Sequence, residues 1–261
     1  MTSSYVYDQG WSEERARLAG IEALWDTGTR DLLIRHGARA GAKALEVGAG
    51  GGSIVEWLAG QVGPGGHVLA TDLDTRFVDA LASDVVEVRR ADVVEDELPE
   101  GVFDVVHTRL VLEHLAGRDR ALDRLVGALK PGGWLIVEDY DWTSFGFDPD
   151  GEVESRAANA VVALMTQAGF DATFGRRVVS ELAARDLENV YGEARALVID
   201  KRHPGSAFFT LSFEQLAPAT VQAGLLTDAD VTAMRARLQA DDWHVFTPAV
   251  VAAIGRKPAT A

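Results

Sequence analysis

A glycine-rich run between an apolar strand and a helix is the most specific chemical signal in the sequence. The run starts at Glu46 and follows the pattern E-x-G-x-G-x-G. Glycines at such a turn let the backbone bend sharply and come close to a ligand, because a Cβ atom would collide with it. The dinucleotide pattern G-x-G-x-x-G fails by one place, since Ser53 stands at the third glycine position. The Gly-Lys-Ser/Thr of a nucleotide P-loop is absent, so the run predicts a ligand-binding turn that favours neither of these classes.

Two carboxylates stand at regular distances after this turn. Asp72 ends the second predicted strand, 26 residues after Glu46, and Asp92 follows the third predicted strand, 20 residues further on. A carboxylate at the end of the second strand can accept hydrogen bonds from both hydroxyls of a ribose. Open α/β sheets bind their ligands at the carboxyl edge of the strands, where both side chains are expected. A helix cap or a solvated turn is the alternative role for each of them.

Five short phrases follow one another between residues 40 and 140. They are LEVGAGGG at 45–52, ATDLD at 70–74, RRADVV at 89–94, FDVVHTRLVLEHL at 103–115 and LKPGGWLIVED at 129–139. Each phrase is weak by itself, but all five in this order and at these spacings resemble the class I S-adenosylmethionine (SAM)-dependent methyltransferases. The resemblance implies a Rossmann-like fold, SAM as the cofactor and methyl transfer as the reaction.

The resemblance also implies a cofactor site. Gly48 and Gly50 would line the turn beside the methionyl part of SAM, and Glu46 would support the turn and the amino group. Asp72 would hold the ribose, and Asp92 would bind the adenine amino group. The other implied contacts are Ala49, Ser53, Leu73, the amide of Val93, and Arg109. SAM is a cation that carries an adenosine, so carboxylates suit it, whereas a pyrophosphate cofactor would not tolerate three of them.

The acceptor side of the reaction leaves more alternatives open. Transfer from a sulfonium is an in-line displacement, so much of its catalysis can come from orientation and desolvation. A base is needed only when a proton of the acceptor must leave early. Among His107, His114 and the acidic run 138–141, we select His114 and Asp139 as candidate catalytic residues. The alternatives are that His114 packs between a helix and the cofactor pocket and that Asp139 caps a loop.

Aromatic residues indicate where the acceptor would bind. We expect its pocket over the carboxyl edge of the fourth and fifth strands, covered by the segment 143–175 and by an N-terminal lid. The candidate substrate contacts are Tyr7, Trp11, His114, Tyr140 and Phe145. Large apolar groups would exclude water, from which methyl transfer gains. The alternatives are a frayed N-terminus and Phe side chains that only pack the inserted segment onto the sheet.

The elements that must position these residues alternate between strand and helix. Strands are predicted over 43–47, 67–72, 85–89, 103–107 and 134–138, and helices from Ser12, over 29–36, from Ile54, and over 76–82 and 119–129. This alternation predicts the α/β class with a doubly wound, mostly parallel sheet. The resemblance brings the sheet to seven strands. Further on, helices are predicted over 153–168, 176–185, 206–223 and 228–239, and strands over 190–199 and 245–254.

The sequence predicts a single methyltransferase domain over residues 1–261, because no linker or repeat divides it. Its expected parts are an N-terminal helical segment, 1–38, that acts as a lid, and a SAM-binding core, 39–142. An insertion or cap on the substrate side, 143–225, would follow the fifth strand, and a C-terminal helix and strand would occupy 226–261.

Composition excludes several classes of partner and site. The chain has 40 acidic and 25 basic residues, a net charge of −15 that repels phosphate backbones and anionic lipid. We therefore expect neither nucleic acid nor a membrane as a partner, and a homodimer stays open. The absence of cysteine excludes disulfides and zinc-thiolate sites, and no metal is expected. The chain shows neither a secretory signal nor an apolar run of ~18 residues, so we expect it in the cytoplasm.

These observations predict a SAM-dependent methyltransferase that acts on a small-molecule acceptor, by O-, N- or C-methylation. The Asp/Asn-Pro-Pro-Tyr/Phe motif of enzymes that methylate base amino groups is missing after the fourth strand, where HTRL stands at 107–110. The alternative is a SAM-binding fold without catalysis, which serves as a regulator or assembly partner. A nicotinamide-dependent oxidoreductase is disfavoured by Ser53.

Overall fold

A computed structural model describes residues 10–259 of the chain, and its centre is a seven-stranded sheet. The strands are β1 (Lys43–Val47), β2 (His67–Asp72), β3 (Val86–Arg90), β4 (Phe103–Arg109), β5 (Leu129–Asp141), β6 (Gly146–Asp148), β7 (Glu188–Arg195), β8 (Val198–Ile199), β9 (His244–Phe246) and β10 (Ala249–Arg256). The α-helices are α1 (Glu14–Arg35), α2 (Ser53–Val62), α3 (Arg118–Ala128), α4 (Glu152–Gln167), α5 (Val178–Ala183), α6 (Ser206–Gln222) and α7 (Asp228–Gln239).

The main sheet has the strand order β3-β2-β1-β4-β5-β10-β7. The five strands from β1 to β5 run parallel, whereas β10 pairs antiparallel with both β5 and β7. The prediction of a doubly wound, mostly parallel seven-stranded sheet is therefore confirmed. The order reverses between β1 and β4, and the carboxyl ends of these two strands face the position where such sheets bind ligands.

Both faces of the sheet are buried, which explains the nearly continuous apolar composition of its strands. Leu45 and Val106 contribute to an apolar cluster with α3, while their neighbours Ala44 and Val105 contribute to a second cluster with α2. A third cluster joins α1, α4, α6 and α7. Helix α1 takes part in two of them, because Leu32 and Leu33 near its end belong to the second cluster and its middle belongs to the third.

Two helix predictions in the first third are wrong. Helix α1 is one continuous helix of 22 residues, whereas the sequence indicated a break before residue 29. The packing of both halves of α1 outweighs the weak helix propensity of Gly28. The segment 76–82 forms only a short 3₁₀ turn, Asp79–Leu81. Side chains of Asp74 and Ser83 accept hydrogen bonds from backbone N–H groups at its two ends and so compete with a helix.

A small three-stranded sheet with the order β6-β9-β8 was not predicted. The strands expected over 190–199 and 245–254 each divide into one strand of the main sheet and one of the small sheet. At the second division, Thr247 donates its N–H to the carbonyl of Leu197 and accepts from the Leu197 N–H through Oγ1. Pro248 follows it and has no N–H for a ladder. The loop expected over 144–151 contains the third strand, β6.

The residues beyond the fifth strand lie in two places. Strand β7 joins the edge of the main sheet and α5 packs against β7 and β10. Helices α4, α6 and α7 form a separate layer, in which α4 contacts α6 and α7, and α6 contacts α1. Helix α4 of this layer lies in the connection between β5 and α5, whereas α6 and α7 lie in the connection between β7 and β10.

Gly20 permits the closest contact between α1 and this layer. A Cβ atom at residue 20 would lie 2.4 Å from the backbone nitrogen of Phe208 and 3.0 Å from its Cα. The two helices therefore touch backbone to backbone at this point. The α1–α6 contact brings the Phe208 side chain to the cavity described below.

Replacement of Gly20 by alanine is expected to destabilise the protein. The new methyl group would push against the backbone of α6, at a cost of about 1–3 kcal/mol that exceeds the gain in helix propensity. Urea denaturation would measure the change in the free energy of unfolding. Gly60→Ala in α2 is the matched control, because no atom lies within 4 Å of the added Cβ, and it should stabilise by about 0.5–1 kcal/mol. Equal effects of the two substitutions would contradict the close contact.

Candidate functional site

The glycine turn between β1 and α2 has the conformation that only glycine adopts without strain. Gly48, Gly50 and Gly52 have φ values of 76°, 52° and 89°, in the left-handed region. The N–H groups of Gly48 and Ala49 donate to the carbonyl oxygen of Thr71, at 2.8 Å and 3.1 Å, and hold the turn against β2. The backbone of the turn borders a cavity at the carboxyl edge of the sheet.

Asp72 ends β2 beside this turn. Its Oδ2 accepts a hydrogen bond from the Gly50 N–H at 2.8 Å, and its Oδ1 accepts from the Asp74 N–H at 3.0 Å. Burial raises the pKa of Asp72, although these backbone donors oppose the shift. The two bonds fix the carboxylate at the edge of the cavity.

Asp92 takes the corresponding position after β3. Its Oδ1 accepts from the Val94 N–H at 2.8 Å, and its own N–H donates to Oδ2 of Asp96 at 2.8 Å. These bonds form a tight turn that presents Asp92 and Val93 to the same cavity as Asp72. The structure thus brings together two carboxylates that are 20 residues apart in the sequence.

The cavity measures about 1460 Å³ including its open mouth. All ten residues predicted to bind the cofactor line it: Glu46, Gly48, Ala49, Gly50, Ser53, Asp72, Leu73, Asp92, Val93 and Arg109. Helix α1 supplies one wall of the cavity. The sequence predicted this segment only as a lid, so these cavity-lining residues were not predicted. They are Glu14, Arg17, Leu18, Ile21 and Glu22. Their spacing of three and four residues marks one face of a helix and was the signal available for finding them.

A chain of buried charges lies beneath the glycine turn. The Nδ1 of His107 lies 2.6 Å from Oε2 of Glu46, and its Nε2 lies 3.1 Å from Oε2 of Glu138. Burial disfavours the charged imidazole, but the two carboxylates outweigh it and raise the pKa of His107 to about 9. Burial likewise opposes ionisation of Glu138, and His107 with two arginines nevertheless lowers its pKa to about 2. His107 is therefore protonated and bound on both nitrogens, which excludes it as a base.

Arg109 links this buried chain to α1. Its Nη1 donates to Oγ1 of Thr29 and its Nη2 donates to Oδ1 of Asp26, both at 2.9 Å. Oγ1 of Thr29 in turn donates to Oε2 of Glu138 at 2.6 Å, and Arg195 donates to the other oxygen of Glu138. Arg109 lines the cavity while its guanidinium group is held by α1.

His114 lies on the wall of the cavity that follows β4. Burial, together with the positive charges of Arg17 and Arg118, lowers the pKa of His114 to about 3, so its imidazole is neutral at pH 7. Its ring lies 5.0 Å from the ring of Phe170, and its Nε2 is 3.5 Å from Oε1 of Glu113. A neutral imidazole at a cavity wall can accept a hydrogen bond, but a pKa this low makes it a weak base at pH 7.

The structure does not bring Asp139, the other candidate catalytic residue, to the cavity. Its side chain is fully buried, and Glu113, which does line the cavity, donates its N–H to Oδ1 of Asp139 at 3.4 Å. Burial raises the pKa of Asp139 to about 8, and it also raises the pKa of Glu113, as does the nearby charge of Asp139. Asp139 thus lies behind the wall, out of reach of an acceptor.

The candidate substrate contacts are placed unequally. Tyr140 lines the cavity and accepts a hydrogen bond on its hydroxyl from Nε1 of Trp25 at 2.6 Å. Trp11 precedes α1 and does not line the cavity, and Tyr7 lies outside the described residues.

Phe145 does not line the main cavity either. It packs in the third apolar cluster, where its ring stacks on Phe209 at 5.5 Å, and it borders a second cavity beside α4. Trp142, Met165 and Phe208 cover the main cavity instead.

The described residues, 10–259, contain neither a candidate membrane span nor a candidate metal site. Over this range no helix is long and apolar enough to cross a membrane. The same residues contain no group of three or more His, Asp or Glu side chains that could hold a metal ion.

Comparison with known proteins identifies relatives of this chain. Residues 45–137 match the family described as "Methyltransferase domain". The chain is 33% identical over 155 residues to "Methyltransferase str2" of Strobilurus tenacellus, an alignment that covers 57% of this chain and 54% of that protein. It is 27% identical over 202 residues to "Ubiquinone/menaquinone biosynthesis C-methyltransferase UbiE" of Pseudomonas putida, covering 63% of this chain and 78% of that protein. The chain thus spans about half the length of the first of these relatives.

A solved structure shows the same fold. It is the Haemonchus contortus phosphoethanolamine N-methyltransferase 2 in complex with S-adenosyl-L-methionine, which is 18% identical with a TM-score of 0.58 and covers 96% of this chain and 59% of that one. The region of this chain that matches the family contains the glycine turn, Asp72 and Asp92. Residues 45–137 are thus similar to the methyltransferase domain family, and the chain has the fold of a solved methyltransferase structure that holds S-adenosyl-L-methionine.

Proposed function

We propose that this protein transfers a methyl group from SAM to a small-molecule acceptor that enters the cavity. The observation that carries the proposal is the meeting of the glycine turn, Asp72 and Asp92 at a single cavity that continues past β4. Support also comes from the relatives, which include a C-methyltransferase.

The residues of the cavity fit the chemical groups of SAM. Asp72 would hold the two ribose hydroxyls, and Asp92 with the amide of Val93 would bind the adenine. The glycine turn would leave room for the methionyl part, because Gly48 and Gly50 have no Cβ atom. A side chain at either position would also require a strained backbone. SAM supplies an electrophilic methyl group bonded to a positively charged sulfur.

The far end of the cavity suits a small acceptor with apolar surface. Its apolar side chains are Leu110, Trp142, Met165 and Phe208, and the buried ion pair of Glu14 and Arg17 lies beside Phe208. The apolar side chains would exclude water from the site of transfer, and the walls would orient the acceptor for in-line attack. Helices α1 and α6 supply part of the cavity wall, so an acceptor has to enter through the mouth of the cavity, which favours a small molecule.

His114 would orient an acceptor molecule that carries a hydroxyl or an amine. Because the pKa of its imidazole lies near 3, His114 is neutral and able to accept a hydrogen bond from a hydroxyl or amine at pH 7. Tyr140 and Arg109 would border the acceptor from β5 and β4. Asp139 takes no direct part in this proposal.

Replacement of Asp72 by alanine is expected to weaken cofactor binding without unfolding the protein. Loss of hydrogen bonds to a charged acceptor costs about 1.5–3 kcal/mol, which corresponds to ~10- to 150-fold in affinity. Calorimetric titration with S-adenosylhomocysteine would measure this loss. Asp79→Ala, at an exposed position of the neighbouring 3₁₀ turn, is the control and should bind as the parent does. Unchanged affinity in the Asp72 variant would remove the cofactor assignment.

Replacement of His114 by glutamine is expected to lower methyl transfer while cofactor binding is retained. Loss of one hydrogen bond that orients the acceptor costs about 0.5–1.5 kcal/mol, so incorporation of labelled methyl from SAM into a small-molecule extract should fall ~2- to 10-fold. His67→Gln, at the opposite edge of the sheet, is the control and should transfer at the parental rate. Cofactor binding with no transfer by the parent protein to any extract would support a non-catalytic SAM-binding role instead.

A further inference from the structure

One carboxylate that borders the cavity is not explained by the cofactor contacts proposed so far. Glu22 lies in the middle of α1, and its Oε2 accepts a hydrogen bond from Nη1 of Arg15 at 3.1 Å. Its Oε1 is buried and accepts no hydrogen bond within residues 10–259. A buried carboxylate oxygen without a donor is costly, so such an atom points to a group that binds there.

The position of this oxygen is defined by Gly51. A Cβ atom at residue 51 would lie 2.2 Å from Oε1 of Glu22, so the oxygen rests directly on the backbone of the glycine turn. Unlike Gly48, Gly50 and Gly52, Gly51 does not have a positive φ, and the turn itself does not require glycine there. Gly51 is explained by the approach of the Glu22 carboxylate.

The order of the sheet determines which part of the cofactor reaches this place. Asp92 follows β3 and Asp72 ends β2, so the adenine and the ribose would lie along the edge in that order. The next strand is β1, whose glycine turn carries Glu22 above it. The amino-acid end of the cofactor, which bears an ammonium group, would therefore come within reach of Oε1.

The carboxylate of Glu46, at the start of the glycine turn, is bound to another side chain. Oε2 of Glu46, which was expected to support the amino group, lies 2.6 Å from the protonated imidazole of His107. Among residues 10–259, Glu22 receives one bond, from Arg15, which holds the carboxylate in place through its other oxygen. Burial raises the pKa of Glu22, and a nearby cation would favour its charged form.

We infer that Glu22 is a cofactor-binding residue that accepts a hydrogen bond from the ammonium group at the amino-acid end of the cofactor. The inference rests on the proposed function, since it requires SAM in the cavity. It makes α1 a part of the cofactor site: this helix recognises the primary ammonium group, while the sheet edge recognises the adenosine.

The test compares two ligands that differ only at this end. S-adenosylhomocysteine carries the ammonium group, and 5′-methylthioadenosine keeps the adenosine and the thioether without the amino-acid part. For Glu22→Gln we expect calorimetry to show about 10- to 100-fold weaker binding of S-adenosylhomocysteine and unchanged binding of 5′-methylthioadenosine. Glu56→Gln, at an exposed position of α2, is the matched control and should leave both affinities unchanged.

A second variant tests the same contact from the other side. Gly51→Ala would displace the Glu22 carboxylate without demanding a strained backbone, and it should reproduce the selective loss of S-adenosylhomocysteine binding. Equal losses for both ligands, or no loss for either, would overturn the inference and leave Glu22 with a structural role. Failure of the parent protein to bind either ligand would overturn the proposed function itself, so the two failures are distinguishable.

Discussion

The structure is organised around a protonated histidine that lies between two buried carboxylates and connects the central strands of the sheet. His107 stands on β4, opposite Glu46 on β1, and Glu138 stands on β5, so one imidazole connects three neighbouring strands at their carboxyl ends. A buried charge that loses its partner is strongly unfavourable, and each of these groups is fully or almost fully buried. Separation of the three side chains would leave buried charges unpaired. Their contacts therefore hold the carboxyl ends of β1, β4 and β5 together beneath the cavity.

The same charges determine where α1 lies. Thr29 donates to Glu138, and Arg109 is held by Thr29 and Asp26, so the middle of α1 is attached to β4 and β5 through hydrogen bonds rather than by apolar contact alone. Gly20 then lets α6 approach α1 directly. A continuous path of polar bonds and close packing thus runs from the sheet through α1 to the helices that cover the acceptor end. Changes in α1 should consequently affect both the cofactor and the acceptor.

Electrostatic differences along the cavity separate its two ends. Carboxylates face the cavity at the proposed cofactor end, and the proposed acceptor end combines apolar side chains with the neutral imidazole of His114 and the ion pair of Glu14 and Arg17. Burial raises the pKa of both Glu113 and Asp139 beside that end, and the charge of Asp139 raises the pKa of Glu113 further, so two negative charges are unfavourable there. A cationic cofactor and an apolar acceptor would thus each meet a suitable environment within one cavity.

The sequence by itself determined the parallel sheet, the glycine turn and the residues at the ends of β1, β2 and β3, because these depend on local patterns. Apolar strands, glycines that need a positive φ, and carboxylates directly after a strand are all readable from neighbouring residues. The ten residues expected at the cofactor end line one cavity for this reason. Only the tertiary structure decided which side chains complete the site. Asp139 and Phe145 have suitable chemistry but turn away from the cavity, whereas the face of α1 with Glu22 turns toward it, because helix packing over long sequence distances sets these orientations.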